Sequence, residues 1–151
     1  MAFRSEQLDG RLRTVGLHGE PVAQGRPRGS IRNEKVYMRD PAKSKYFKQY
    51  VALVASQHRP ETIITGPVSM DVKVYRPMPR SVSNSSKKKE KAEKGLLRPT
   101  TKPDVDNYVK GVKDALNHLI YKDDSQVVDL KVSKFYSEEP RVEIKIKEVS
   151  A

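Results

Sequence analysis

The chain of 151 residues contains no cysteine and no tryptophan. Without cysteine it can form neither a disulfide framework nor a zinc finger, and it has no thiol nucleophile. It has no apolar run long enough to cross a bilayer, since stretches such as residues 51–55 extend for only a few residues. The first six residues also lack the hydrophobic region of a signal peptide. These absences predict a soluble, cytoplasmic protein without a membrane partner.

Acidic residues are few relative to basic ones: 19 Asp and Glu face 30 Lys and Arg, which leaves a formal charge of +11. An excess of this size indicates an anionic partner, with nucleic acid ahead of an anionic membrane surface. The length is that of one domain. We therefore expect a flexible, polar N-terminal tail over residues 1–12 and a single domain over residues 13–151.

Hydrophobic periodicity predicts an α+β fold. Four segments alternate apolar with polar residues, as half-buried strands do: 13–19, 68–75, 128–132 and 142–146. The last two are separated by Glu138-Glu139-Pro140 and are expected to pair as an antiparallel hairpin. Helical spacing predicts one helix over residues 40–57 and another over residues 106–119. The sequence thus predicts a small mixed or antiparallel sheet with two main helices.

Basic residues concentrate in two segments that lack clear periodicity. Residues 24–30 are expected to form a loop, either an ordinary solvated turn or an arm that contacts phosphates. Residues 81–102 are rich in Ser, Pro and Lys and are expected to form a mobile basic loop, either a solvated charge run or a DNA-engaging segment. The candidate DNA contacts in the two segments are Arg26, Arg28, Lys87, Lys88, Lys89, Lys91, Arg98 and Lys102.

The sign of the charge reverses between residues 104 and 129, where six Asp face only three Lys. Clustered carboxylates repel one another unless a cation or a basic partner lies among them, so this clustering needs a reason. The six acids are Asp104, Asp106, Asp114, Asp123, Asp124 and Asp129.

The expected geometry brings part of this acidic cluster together. Asp104 and Asp106 are expected in the extended segment before the second helix, where side chains at i and i+2 point the same way. Lys110 would follow one turn after Asp106 on the same helical face, and a turn over residues 121–124 would return a third carboxylate. Three carboxylates and a lysine suit Mg²⁺-dependent phosphodiester hydrolysis, because oxygen ligands hold the metal and lysine stabilises the transition-state charge. The alternative is that Asp106 is only a helix cap and that residues 123–124 form only a polar turn.

Other phosphate or metal sites fit the sequence poorly. An EF-hand loop beginning at Asp104 would have Val109 where glycine is required and Ala115 where glutamate is required. The chain has no Gly-rich phosphate loop of the Walker type, and its three histidines have no partner at metal-ligand spacing.

Four blocks of this sequence resemble the RusA family of Holliday junction resolvases, small endonucleases common in prophages and bacteria. The blocks are Lys102-Pro103-Asp104-Val105-Asp106-Asn107, Lys110, Asp114-Ala115-Leu116-Asn117 and Asp123-Asp124-Ser125-Gln126-Val127-Val128. The resemblance implies a homodimeric α+β fold. It also implies Mg²⁺-dependent, paired cutting of four-way DNA junctions in recombination and repair, with Mn²⁺ as an alternative metal.

Taken residue by residue, the resemblance implies that Asp104, Asp106 and Asp124 are metal ligands in catalysis and that Lys110 is the catalytic lysine. Asp123 is a further candidate ligand. Two other functions stay open at this point. One is a non-catalytic nucleic-acid-binding module, and the other is a nuclease for forks, flaps or branched phage DNA.

Overall fold

The computed structural model describes residues 12–24, 28–32, 35–39 and 42–149. Within these ranges the chain forms six strands and four α-helices. In chain order they are β1 (Leu12–His18), β2 (Arg28–Arg32), β3 (Lys35–Arg39), α1 (Ala42–Ser56), β4 (Val68–Pro77), α2 (Arg80–Ser83), α3 (Ser86–Glu93), α4 (Val105–Leu116), β5 (Val127–Ser137) and β6 (Arg141–Glu148). A short 3₁₀ turn, Asp124–Gln126, leads into β5.

Four of the strands make one mixed sheet in the order β1-β6-β4-β5. β4 runs parallel to β5 and antiparallel to β6, and β6 is antiparallel to β1. Together with the two long helices, α1 and α4, this sheet confirms the predicted α+β class. None of the helices in the described ranges is long and apolar enough to span a membrane.

The predicted hairpin of the last two strands is wrong. β4 lies between them: Val72 pairs with Val132 of β5 on one side and with Ile144 of β6 on the other. The alternation correctly shows which side chains of β4 and β6 face the core, but Val128 and Leu130 of β5 are exposed. Alternation does not specify which neighbour a strand pairs with, and β4 pairs along both of its edges.

The hydrophobic core lies between one face of this sheet and the helices α1 and α4. Alternate residues of β4, from Val68 to Val74, are buried on that face. α1 contributes Val51 and Ala55 to this core, and α4 contributes several residues, among them Val112 and Leu116. α4 is thereby held along its length against the sheet, which gives its N-terminus a defined position.

α1 matches the predicted helix, although the start expected at residues 40–41 lies outside the described residues. The helical spacing of Tyr46, Phe47, Tyr50, Val51 and Val54 predicts that these residues form one buried face, and the observed buried face differs from it. Tyr46 is 67% exposed and Tyr50 is 39% exposed, whereas Val51 and Ala55 are fully buried. Both tyrosines therefore face solvent, although the sequence pattern places them on the buried face.

The expectation of an irregular loop over residues 81–102 is wrong, because the segment contains α3 and most of α2. Ser85 caps α3 by accepting a hydrogen bond from the Lys88 amide at 3.4 Å. The lysines, Glu90 and Ala92 are good helix formers, and Gly95 ends the helix with φ +74°. Buried Ala92 anchors the helix. Mobility of this segment stays a prediction.

A second, two-stranded sheet was not expected from the sequence. β2 and β3 pair antiparallel, with Arg28 opposite Arg39. Arg28 therefore begins a strand and does not belong to a loop, while Arg26 lies outside the described residues. The predicted N-terminal tail also lies outside them, except that Leu12 already belongs to β1.

Candidate active site

Asp104 and Asp106 lie at the N-terminus of α4. Asp104 is the N-cap residue, with extended backbone angles (φ −73°, ψ 157°), and its side chain makes no capping hydrogen bond. Asp106 is in the first helical turn, so the expectation that it belongs to the extended lead-in is wrong. Both side chains are exposed. Asp104 thus has a carboxylate that the helix does not use, beside backbone N–H groups that favour negative charge.

Lys110 is exposed on α4, four residues after Asp106. Residues at this spacing lie on the same side of a helix, roughly 5–6 Å apart at Cβ. The ammonium group of Lys110 can therefore reach the space in front of Asp106, as the sequence predicted.

Asp123 and Asp124 differ in what their carboxylates do. Asp123 caps the 3₁₀ turn: its Oδ2 accepts a hydrogen bond from the Ser125 amide at 3.0 Å, and Gln126 Oε1 accepts one from the Asp123 amide at 2.8 Å. The hydrogen bonds from Ser125 hold the pKa of the Asp123 carboxyl below its usual value. Asp124 is the first residue of the turn and is half-buried. Of the two carboxylates, the one of Asp123 is therefore already engaged in a hydrogen bond that caps the turn.

Two other acids of the predicted cluster lie apart from this end of α4. Asp114 is in the last part of α4, and its Oδ2 is 3.7 Å from the Lys48 ammonium of α1, so this pair links the two helices. Asp129 is exposed on β5. Tyr121 lies between the helix and the turn, and its hydroxyl donates to the Lys113 carbonyl at 2.7 Å. Burial raises the pKa of Tyr121, and the negative charges of Asp124, Asp114 and Asp123 raise it further.

The sequence predicts that three carboxylates converge, and the described part of the structure does not group them. In the part of the protein that the structure describes, no three Asp, Glu or His side chains are grouped closely enough to hold a metal ion. One cause is the start of α4 at Val105: the i and i+2 positions of a strand share a face, but those of a helix do not. The donor chemistry still suits a hard cation, since Mg²⁺ in enzymes commonly takes only one or two carboxylates and completes its shell with water and substrate phosphate.

The candidate DNA-binding residues between positions 87 and 102 fall into two groups. Lys87, Lys88 and Lys91 are exposed on α3, and Lys102 is exposed two residues before Asp104. The other group makes contacts within the chain. The Lys89 ammonium lies 2.6 Å from Glu138, whose hydrogen bond and charge raise the pKa of that lysine, and the guanidinium of Arg98 stacks 4.3 Å above the Phe135 ring.

Sequence reasoning missed two basic residues beside the site, Arg76 and Lys134, whose side chains bind the backbone just before Asp104. One signal was available for Lys134. It follows Leu130 and Val132 at the same alternation in β5, where another aliphatic residue would be expected. A lysine at such a position suggests a specific partner.

Comparison with known proteins identifies the class. The profile of the RusA family, described as endodeoxyribonuclease RusA, matches residues 18–147. Because the match covers most of the chain, the protein belongs to the RusA family of endodeoxyribonucleases, and the resemblance seen in its sequence blocks is confirmed.

Two relatives are similar to this chain. It is 93% identical to the uncharacterized protein YqaN of Bacillus subtilis (strain 168) over 135 residues, which are 89% of this chain and 95% of that protein. It is 45% identical to the crossover junction endodeoxyribonuclease rusA of Lactococcus phage r1t over 51 residues, 33% of this chain and 39% of the phage protein.

Proposed function

We propose that the protein is a divalent-metal-dependent endonuclease that resolves four-way Holliday junctions by paired cuts, and so acts in DNA recombination and repair. The observation that carries this proposal is the uncommitted carboxylate of Asp104 at the N-terminus of α4, with exposed Asp106 and Lys110 on the same helix, in a member of an endodeoxyribonuclease family. The relative from phage r1t bears the name of a crossover junction endodeoxyribonuclease, which supports the choice of substrate.

Asp104, Asp106 and Asp124 are the proposed ligands of Mg²⁺, with Mn²⁺ as the alternative metal. When bound, the metal polarises the scissile phosphate and lowers the pKa of the attacking water. Asp124 is preferred to Asp123 because the latter's carboxylate is engaged by the Ser125 amide. Binding of a metal by Asp104 would not remove a capping hydrogen bond from α4, because the Asp104 side chain makes none.

Lys110 is proposed to stabilise the extra negative charge that develops on the phosphate in the transition state. Its position on the face of Asp106 supports this role, since a group that approaches the carboxylates from solvent also comes within reach of the lysine. A lysine acting in this way contributes to the rate more than to the affinity for DNA.

Contacts with the DNA backbone are proposed for the exposed lysines of α3 and for Lys102. Lys87, Lys88 and Lys91 form a positive surface on one short helix, and such a surface binds phosphates through release of counterions. Arg98 and Lys89 are assigned a smaller part, because both side chains have partners within the chain.

A homodimer is proposed because one acidic site cuts one strand, whereas resolution requires two symmetric cuts. Apolar side chains near the site support an interface there. Val128 and Leu130 are 58% and 46% exposed on β5, one of the two outer strands of the sheet, and Val105, next to Asp104, is 38% exposed. A two-fold contact through these residues would bring two sites together. α3 packs beside the far end of β5, where Lys89 pairs with Glu138, so its lysines would stand outside a contact centred on Val128 and Leu130.

The test is incubation of the purified protein with labelled four-way junction, replication fork and linear duplex, each with and without Mg²⁺. The proposal expects symmetric paired cuts in the junction only with the metal. Cutting of the fork in preference to the junction would favour a fork or flap nuclease. Binding of all three DNAs without any cutting, with either Mg²⁺ or Mn²⁺, would indicate a non-catalytic binding module and contradict the proposal.

A further inference from the structure

Two cationic side chains from neighbouring strands hold the segment that leads into Asp104. Lys134 of β5 donates from Nζ to the carbonyl oxygens of Thr101 at 3.0 Å and Pro103 at 3.1 Å. Arg76 of β4 donates from Nη1 to the Thr101 carbonyl at 3.2 Å and to its Oγ1 at 3.3 Å. The segment between α3 and α4 is thus attached to the parallel strand pair of the sheet.

These carbonyl groups depend on side-chain donors. Residues 101–103 precede the first residue of α4 and belong to no strand, so a helix or sheet ladder does not satisfy them. Pro103 has no N–H group with which to bind a neighbouring strand. A lysine, with three donors on one atom, is able to bind two carbonyls at once.

The backbone at Lys134 is itself held in place by neighbouring side chains. Its carbonyl accepts a hydrogen bond from Arg98 Nε at 2.9 Å. The Arg98 guanidinium lies over the ring of Phe135, and that ring stacks on Tyr75 of β4 with centroids 5.3 Å apart. The backbone of β5 at Lys134 is therefore held from two sides, which limits the positions that its ammonium group can reach.

We propose that Lys134 and Arg76 are positioning residues for the nuclease site: they fix the 101–103 backbone so that the Asp104 carboxylate is placed for metal and phosphate. The Pro103 carbonyl belongs to the peptide bond that ends at Asp104, so a hydrogen bond to it restricts rotation directly before the acid. A ligand must be held within about 0.5 Å of its productive position. This inference rests on the proposed function.

The main variant is Lys134→Met, which keeps most of the apolar stem and removes the donors. Arg76→Met is the second variant, in case the first folds poorly. Lys131→Met is the matched control, because Lys131 is an exposed lysine of the same strand at the opposite alternation. Lys134→Arg is the conservative variant, since its guanidinium still donates to two carbonyls. Thermal unfolding of each variant comes first.

Two readouts are measured on the full chain. Amide hydrogen exchange over residues 101–107 reports the backbone without any need for activity, and we expect exchange about ten-fold faster in Lys134→Met. The rate of junction cleavage at saturating protein should fall about 10- to 100-fold, with the Kd for the junction within about two-fold of wild type. Raising the metal concentration should recover part of the rate, and Lys134→Arg should recover most of it.

The outcomes separate this inference from the proposed function. Unchanged exchange in both Lys134→Met and Arg76→Met overturns the inference whether or not the protein cuts junctions. Faster exchange with an unchanged cleavage rate overturns it as well, because the contact would then be structural only. If the wild-type protein cuts no branched DNA, the proposed function fails, and the positioning role fails with it even where the exchange result shows that the backbone contact exists.

Discussion

Gln126 donates a hydrogen bond from Nε2 to the Ile64 carbonyl at 2.8 Å, across 62 residues of sequence. Gln126 Nε2 also donates to the Gly66 carbonyl at 2.9 Å, while Gln126 Oε1 accepts a hydrogen bond from the Asp123 amide. One side chain therefore joins the turn that carries Asp124 to the segment that enters β4. Asp124 is thus positioned by the tertiary contacts of Gln126, and the Asp124 carboxylate is left available.

Replacement of single acids should separate chemistry from binding. Asp104→Asn, Asp106→Asn and Asp124→Asn each keep the side-chain shape and remove the charge that a metal requires, so we expect junction cleavage to fall below detection while binding persists or tightens. Asp129→Asn, a change of an exposed acid on β5, is the control and should cut normally. Gel-shift and cleavage assays on the same preparations check this. Loss of binding in all three acid variants would contradict the assignment.

Asp123→Asn should retain more cleavage than Asp124→Asn and should instead affect stability. The pKa of the Asp123 carboxyl is lowered from 3.8 in the folded chain, so its charge stabilises the fold above that value and the effect is lost as the pH falls through the folded pKa. We expect the wild type to have a higher Tm than Asp123→Asn at neutral pH and the difference to vanish under strong acid. Calorimetry from pH 7 downward measures it. A difference that grows on acidification would show the sign to be wrong.

Lys110→Ala should lower the cleavage rate at saturating DNA about 100-fold, because loss of one preorganised donor to a developing charge typically has an effect of that order. The Kd for the junction should change little, since the lysine acts in the transition state. Single-turnover kinetics combined with equilibrium binding give the two numbers. Lys113→Ala, on the same helix, is the comparison. A normal single-turnover rate for Lys110→Ala would exclude the proposed role.

The exposed lysines of α3 should govern the salt dependence of DNA binding. Changing Lys87, Lys88 and Lys91 together to Gln keeps helix propensity, and we expect the slope of log K against log salt to flatten by about 0.9 for each lost phosphate contact. Lys89→Gln should have a smaller effect, because that lysine is paired with Glu138. Titrations at several salt concentrations provide the slopes. An unchanged slope in the triple variant would mean that the helix is only a solvated charged surface.

Sedimentation equilibrium at micromolar protein should give twice the chain mass of 17.2 kDa. Leu130→Asp introduces a charge at an exposed apolar position on β5, and it should shift the protein toward monomer with an unchanged far-UV spectrum. We expect the monomeric variant to nick junctions without resolving them. A wild-type monomer that still makes paired cuts in one binding event would contradict the dimer.

The sequence by itself was sufficient for the main strands and the two long helices, and for the buried faces of β4, β6 and α4. Alternation located β4 and β6, and the 3.6-residue period located α4 to within a few residues, because these patterns arise from local backbone geometry. The block from Lys102 to Val128 was also sufficient to indicate the family. Helix formation in the lysine-rich segment was missed, although its good helix formers and the Ser85 cap are local signals that the sequence contains.

Tertiary structure alone decided which strands pair and which side chains meet. Proximity in sequence predicts a hairpin of the last two strands, yet β4 lies between them and pairs with both. The hydrogen bonds of Lys134 to Thr101 and Pro103 join residues more than 30 positions apart, and no local period encodes them. Periodicity reports how each segment divides between core and solvent, whereas pairing and long-range hydrogen bonds depend on the free energy of the whole assembled core.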